Sequence, residues 1–283
     1  GLGKDFPHET LARLCAETGV EVRFLSVVSS RSIWGASETS MDAQGVPTKM
    51  RKAIDNVFDG QHGGFVVGLD YAGPERSFTG PGGEHFLASC RYMRDRIEQG
   101  GEAVMRVHVG EGYFADADDR GGEIDRARKN VQALIDAVTK LRQDDTAESG
   151  TLQIRAGHCT HATPEQIKQL KALGVHIEAN IGSNLATGAI NDISEHPLLA
   201  MLYHDADMSL NTDAGGVMAT SLDQEYEHAA DIIDGFKAGM FTLTIDGKPV
   251  FYDDLDEDTK KRFSTDHLAG QSRRHGRLGR DAT

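Results

Sequence analysis

Ala103-Val104-Met105-Arg106-Val107-His108-Val109-Gly110-Glu111 is the stretch on which the reading of the fold turns. An apolar run from Ala103 to Val107 stops at a histidine, and a carboxylate follows three residues later. That is the form of a strand running into its loop at the carboxyl edge of a parallel sheet, where barrel enzymes place their chemistry. Two further runs end the same way, Leu152-Gln153-Ile154-Arg155-Ala156-Gly157-His158 and Met208-Ser209-Leu210-Asn211-Thr212-Asp213. Brought to one rim, His108, Glu111, His158 and Asp213 suit a metal-activated water with a proton donor beside it.

The neighbouring segments read as strands alternating with helices. Val20 to Val28 is β-branched and apolar and follows a helical stretch from Glu9 to Glu17. Phe65-Val66-Val67-Gly68-Leu69 is a buried-strand run ending at Asp70, and Val175-His176-Ile177-Glu178-Ala179-Asn180 is another. Between them, Ile124, Ala127, Val131, Leu134, Ile135, Val138 and Leu141 recur at helical spacing. Thr163-Pro164-Glu165-Gln166 is a capping box with proline at the first helical position, and Gly174 follows the helix end. Ser221-Leu222-Asp223-Gln224 repeats the box before a helix through Ile233. Continuous apolar strands spaced by helices indicate a parallel sheet covered on both faces. The fold class expected is α/β, of the (β/α)8 TIM-barrel type. Six strands are read where closure takes eight, so the missing two are expected before Gly1 or on another chain.

Composition narrows the function. A chain of 283 residues, 39% hydrophobic, can bury one sizeable core. One domain is expected over 1–264, followed by a polar basic tail over 265–283 that carries Arg273, Arg274, Arg277 and Arg280 and is read as solvated. A formal charge of −14 argues against a nucleic-acid partner, which calls for clustered cations. The acidic run Asp116-Ala117-Asp118-Asp119 reads as loop surface. Three scattered cysteines give neither a disulfide framework nor a zinc pattern. No apolar run approaches the roughly 18 residues of a spanning helix, so no membrane role is expected and a cytoplasmic location is.

Taken singly, His108 with Glu111 could be an ordinary loop pair, and Asp213 could simply cap the loop that follows it. Their combination is more specific. His108-Val109-Gly110-Glu111, Arg155-Ala156-Gly157-His158-Cys159-Thr160-His161, Ser183-Asn184-Leu185-Ala186-Thr187-Gly188, Leu210-Asn211-Thr212-Asp213 and Val67 through Glu75 fall in an order and spacing that resembles the adenosine deaminase family of zinc-dependent barrel hydrolases. The resemblance runs from about Val20 to Phe263 and implies that His108 and Asp213 ligate zinc. It further implies that Glu111 protonates the purine ring nitrogen, that His158 orients or deprotonates the water, and that Gly73 offers its backbone N–H to the base. The expected partner is therefore a small purine nucleoside, nucleotide or analogue, deaminated hydrolytically with release of ammonia.

The chain departs from the family pattern in two places. It contains no His-x-His pair, which in the family supplies two more zinc ligands. A separate N-terminal segment or another chain is the expected source. Ala214 stands where the family has a second aspartate on the purine; Asp70 and Ser183 are candidate substitutes in substrate binding. These departures keep two other functions open: a catalytically weak barrel serving as a binding or assembly scaffold, and a related amidohydrolase acting on another substrate.

Overall fold

The computed structural model describes residues 8–19, 22–29, 40–59, 64–73, 75, 78–97, 101–112, 119–146 and 150–275. Most of the acidic run at 116–119 lies outside the described residues, as does the end of the chain past residue 275. The chain divides into two compact units, one comprising residues 1–107 and 140–154 and the other residues 108–139 and 155–277, where the sequence reading expected one domain to residue 264.

The first unit begins with α1 (His8–Thr18), followed by β1 (Phe24–Ser29), α2 (Thr48–Phe58), β2 (Val66–Ala72), α3 (Gly83–Asp95) and most of β3 (Glu102–Val109). β1 pairs with β2 in parallel, Val27 opposite Asp70, and β2 pairs with β3, Asp70 opposite Arg106. α2 buries Met50 and Ile54, four residues apart on one face, and α3 buries Phe86, Leu87, Cys90 and Met93. Close strand packing fixes Gly68, where an added Cβ would lie 2.0 Å from the carbonyl oxygen of Val104. Asp70, which ends the expected apolar run, forms a 2.9 Å ion pair with Arg106.

The second unit contains most of α4 (Arg120–Gln143) and the carboxyl half of β4 (Thr151–His158), then α5 (Pro164–Ala172), β5 (His176–Ala179), α6 (Ile181–Ala186), α7 (Leu198–Tyr203) and β6 (Met208–Leu210). It continues through α8 (Gly215–Met218), α9 (Leu222–Lys237), the antiparallel hairpin β7 (Leu243–Ile245) with β8 (Lys248–Val250), α10 (Glu257–Arg262) and α11 (Thr265–His275). Both expected capping boxes form: Thr163 Oγ1 accepts from Gln166 N, Ser221 Oγ accepts from Gln224 N, and each glutamine reaches back to the cap. The apolar stripe of α4 is buried, with Ala127, Val131, Leu134 and Val138 all 0% exposed.

The large sheet runs in the order β1-β2-β3-β4-β5-β6, each strand beside its sequence neighbour, and the registered pairs are parallel. Sequential parallel strands with intervening helices are the (β/α)8 pattern, here represented by six of its eight strands. One set of alternating strand positions is apolar: Met105, Val107, Ile154, Ala156, Ile177, Met208 and Leu210 are buried. The other set carries polar residues among apolar ones such as Val104. In the second unit Arg155 pairs with Glu178 at 2.5 Å, both buried, and His176 Nε2 meets Ser209 Oγ at 2.8 Å.

The segment read as a solvated tail differs in its first part. Residues 265–275 form α11, which packs on β6 and buries Leu268 and Gln271. Ser264 Oγ accepts from His267 N at the head of this helix. A single leucine among polar residues carries too little hydrophobic signal to reveal the packing in the sequence. No helix among the described residues is long and apolar enough to cross a membrane.

Candidate functional site

The second unit brings the strand ends together. On β3, Arg106 and His108 alternate with the buried Met105, Val107 and Val109, so His108 projects from the polar face. The chain then turns at Gly110, with φ of 78°, and a Cβ there would lie 2.7 Å from Val131 Cγ2 and 3.1 Å from Cys159 Cα. Only glycine fits that turn, and it delivers Glu111 back beside His108. On β4 the strand ends in two consecutive left-handed residues, His158 with φ of 71° and Cys159 with φ of 50°. Each such conformation costs on the order of 1–3 kcal/mol for a residue with a side chain. The strand is tied down there: Cys159 N donates to Val109 O at 2.9 Å, and His161 N donates to Gly110 O at 2.9 Å.

His158 is 1% exposed and sits at the centre of the arrangement. Its Nε2 lies 3.2 Å from His108 Nδ1 and 3.6 Å from Glu111 Oε2. Its Nδ1 faces the amide nitrogens of Asn180 and Asn184, each at 3.2 Å. Two amide donors on Nδ1 make that atom the acceptor and place the imidazole proton on Nε2, toward His108 and Glu111. The other oxygen of Glu111, Oε1, accepts from Thr187 Oγ1 at 3.2 Å.

Among the described residues, His108, Glu111 and His158 are the group whose donor atoms converge, all within 4.8 Å of one another. Two imidazoles and a carboxylate are a zinc-type donor set. Asp213 is not one of the three. It too is left-handed, with φ of 54°, and its Oδ2 accepts from Ser183 Oγ at 2.9 Å. Ser183 is fully buried, so its hydroxyl is committed to holding that carboxylate. Ala214, next along, is exposed and is the residue before α8. Asp70 and Gly73 belong to the first unit. The Asp70 carboxylate is engaged by Arg106, and Gly73 follows β2 with φ of 121°.

Four further residues take part that the sequence did not single out for a role. Asn180, Asn184 and Thr187 lie in or beside α6, within a turn already notable for its Ser-Asn-x-x-Thr-Gly pattern. Asn180 also ends a strand as His108 and His158 do, a signal that could have found it. The fourth, Glu225, is 0% exposed, and its carboxylate accepts from Ile181 N at 2.8 Å and Gly182 N at 3.0 Å. Burial pushes its pKa up to about 7, against the lowering effect of those two N–H groups, and the charge of Asp213 adds to the rise.

Known proteins are similar to parts of this chain. The sequence model of the adenosine deaminase family matches residues 130–264, which include His158, all of α6, Asp213 and Glu225. The adenosine deaminase-like protein of Drosophila melanogaster is 35% identical over 92 residues, covering 32% of this chain and 27% of that protein. The adenosine deaminase of Erwinia tasmaniensis is 26% identical over 167 residues, covering 58% of this chain and 40% of that protein. The chain thus spans less than half the length of these two curated relatives. Among solved structures, the N6-mAMP deaminase of Arabidopsis superposes with a TM-score of 0.55 at 19% identity, over 95% of this chain and 61% of that one. The adenine deaminase of Arthrobacter aurescens gives 0.51 at 12% identity, over 94% and 66%. At such identities these two superpositions bear on the fold alone, which is that of the (β/α) barrel deaminases. Sequence match and architecture point the same way: over residues 130–264 the chain is similar to the adenosine deaminase family.

Proposed function

We propose that this chain carries the proton-transfer half of a zinc-dependent hydrolytic deaminase acting on an adenosine-like nucleoside or nucleotide, with ammonia as the leaving product. The observation that carries the reading is His158, buried between two asparagines on one side and His108 with Glu111 on the other. In this reading His108 and Asp213 hold zinc, Glu111 is the proton donor and His158 orients the attacking water. Zinc, when bound, supplies a Lewis acid that lowers the pKa of a coordinated water to about 7.

Glu111 donates its carboxyl proton to the ring nitrogen beside the attacked carbon, which prevents negative charge from building on the ring. Thr187 fixes one carboxyl oxygen and leaves the other facing His158. Between the two roles open to His158, its hydrogen bonds favour orientation: with Nδ1 accepting from both asparagines, Nε2 carries a proton and donates. Asp213, held at Oδ2 by Ser183, would be the carboxylate ligand of the metal.

Two protein ligands are one short of the three that a catalytic zinc usually has. Zinc affinity of this chain by itself is therefore expected to be weak. The absence of a His-x-His pair from the sequence favours, as a second reading, a member that binds a purine without turning it over. Release of the exocyclic amine (ammonia from adenosine, AMP and adenine, methylamine from N6-methyl-AMP), measured with added zinc and again with a chelator, separates the two. Chelator-sensitive turnover of any of them supports the first. Binding without turnover at every zinc concentration supports the second.

A further inference from the structure

We propose that Glu225 is a positioning residue that sets the first turn of α6 and, through it, the orientation of three functional side chains, His158, Glu111 and Asp213. This rests on the reading above that His158, Glu111 and Asp213 take part in chemistry. α6 is six residues long, yet every one of those side chains leans on it or on the residues flanking it. Asn180 and Asn184 hold His158 Nδ1, Ser183 holds Asp213 Oδ2, and Thr187 holds Glu111 Oε1.

The first turn of a helix leaves its N–H groups without intrahelical partners. Asparagine at the N-cap would ordinarily satisfy one of them with its own side chain. Here the N-cap is Asn180, but it makes no side-chain cap, because its amide is turned to His158. The cap is supplied instead from α9. Glu225 Oε2 takes Ile181 N, and Oε1 takes Gly182 N. The approach is close enough to dictate residue 182: a Cβ on Gly182 would lie 2.5 Å from Glu225 Oε1. The carboxylate is fully buried, and among the described residues its two oxygens serve the backbone N–H groups of Ile181 and Gly182. The geometry makes it the pin of a helix whose own cap residue has been given over to the site.

The test compares Glu225→Gln with the parent chain. Glutamine keeps the volume but retains one acceptor and presents an NH₂ to the second backbone N–H. Two readouts are taken from each protein: nitrogen NMR of the His158 imidazole at fixed alkaline pH, which reports the tautomer, and kcat and KM on whichever purine the deamination panel identifies. The proposal expects the His158 signals to move from a pattern with Nδ1 as the acceptor toward a mixture of tautomers. It also expects kcat to fall by about 10- to 100-fold, the usual size for groups that orient functional ligands, with KM little changed. Gly182→Ala, with Glu225 intact, is expected to produce the same two changes by displacing the carboxylate, and it decides the matter should Glu225→Gln not fold. An unchanged His158 tautomer in a folded variant, whatever the melting temperature does, overturns the proposal. The NMR readout requires no activity. A parent chain without turnover would therefore count against the deaminase reading, while the tautomer would still decide the role of Glu225.

Discussion

Part of the acid sensitivity should trace to a histidine outside the site. His196 lies just before Pro197 in the second unit and is 3% exposed, and among the described residues neither ring nitrogen has a hydrogen-bond partner. Burial, with a smaller push from His161, brings its pKa down to about 3. In the unfolded chain it titrates near 6.5. Below that value the unfolded state takes up a proton that the folded state refuses, so this contribution to stability is complete above pH 6.5 and is lost as the pH falls toward 3. One such group changes unfolding free energy by about 1.4 kcal/mol per pH unit, or about 2 kcal/mol between pH 6 and 4.5. Glu225 works the other way. Its folded pKa near 7 exceeds the ordinary 4.5, so its contribution is complete below 4.5 and is lost as the pH rises through 7. The parent chain alone can therefore show a deceptively flat profile. The difference between the parent and His196→Leu removes the contribution of Glu225, because both proteins carry it. Urea unfolding at pH 8, 6 and 4.5, followed by far-ultraviolet circular dichroism, should give a variant that loses about 2 kcal/mol less than the parent between pH 6 and 4.5. At pH 8 the variant should be as stable or more so, since leucine removes two unmet polar atoms worth about 1–3 kcal/mol. Parallel losses in the two proteins would refute the assignment.

Three other outcomes are expected. Glu111→Gln should leave purine binding intact and lower turnover by about 10²- to 10⁴-fold, the contribution of a general acid; near-normal turnover in zinc-loaded protein would remove Glu111 from that role. Ala214→Asp should raise adenosine kcat/KM about tenfold, equivalent to about 1.4 kcal/mol, and unchanged kinetics would mean that no carboxylate is wanted there. Arg155→Met removes the buried cation that Glu178 pairs with, both side chains being under 10% exposed. A loss of about 3–5 kcal/mol in urea unfolding is expected, and replacing both partners with apolar residues should recover most of it.

The strand ends were legible because chemistry interrupts a hydrophobic pattern there. His108 and His158 each close an apolar run, and the structure sets their ring nitrogens 3.2 Å apart across 50 residues of sequence. The helices were legible for the same local reason, as the two capping boxes and the buried stripe of α4 demonstrate. Strand boundaries were less so. The expected strand from Val20 is found from Phe24, and the run to Asp213 is paired only to Leu210, because pairing depends on neighbours that no single segment reveals.

Glu225 shows why the rest of the site was hidden. Four residues into a well-capped helix, a glutamate is the commonest of surface residues, and nothing in Ser221-Leu222-Asp223-Gln224-Glu225 distinguishes it from Asp223, which is exposed. Its role exists only when α9 meets the start of α6, more than 40 residues away. The same holds for Ser183, whose hydroxyl could as well have faced a ligand until Asp213 took it. Local sequence therefore reveals the polar groups at the strand ends, since these break the pattern of the element that carries them. The groups behind them conform to their elements and become visible only through what they touch. In this chain that second layer converges on one short helix, and the orientation of His158, Glu111 and Asp213 depends on a turn whose own cap comes from elsewhere in the fold.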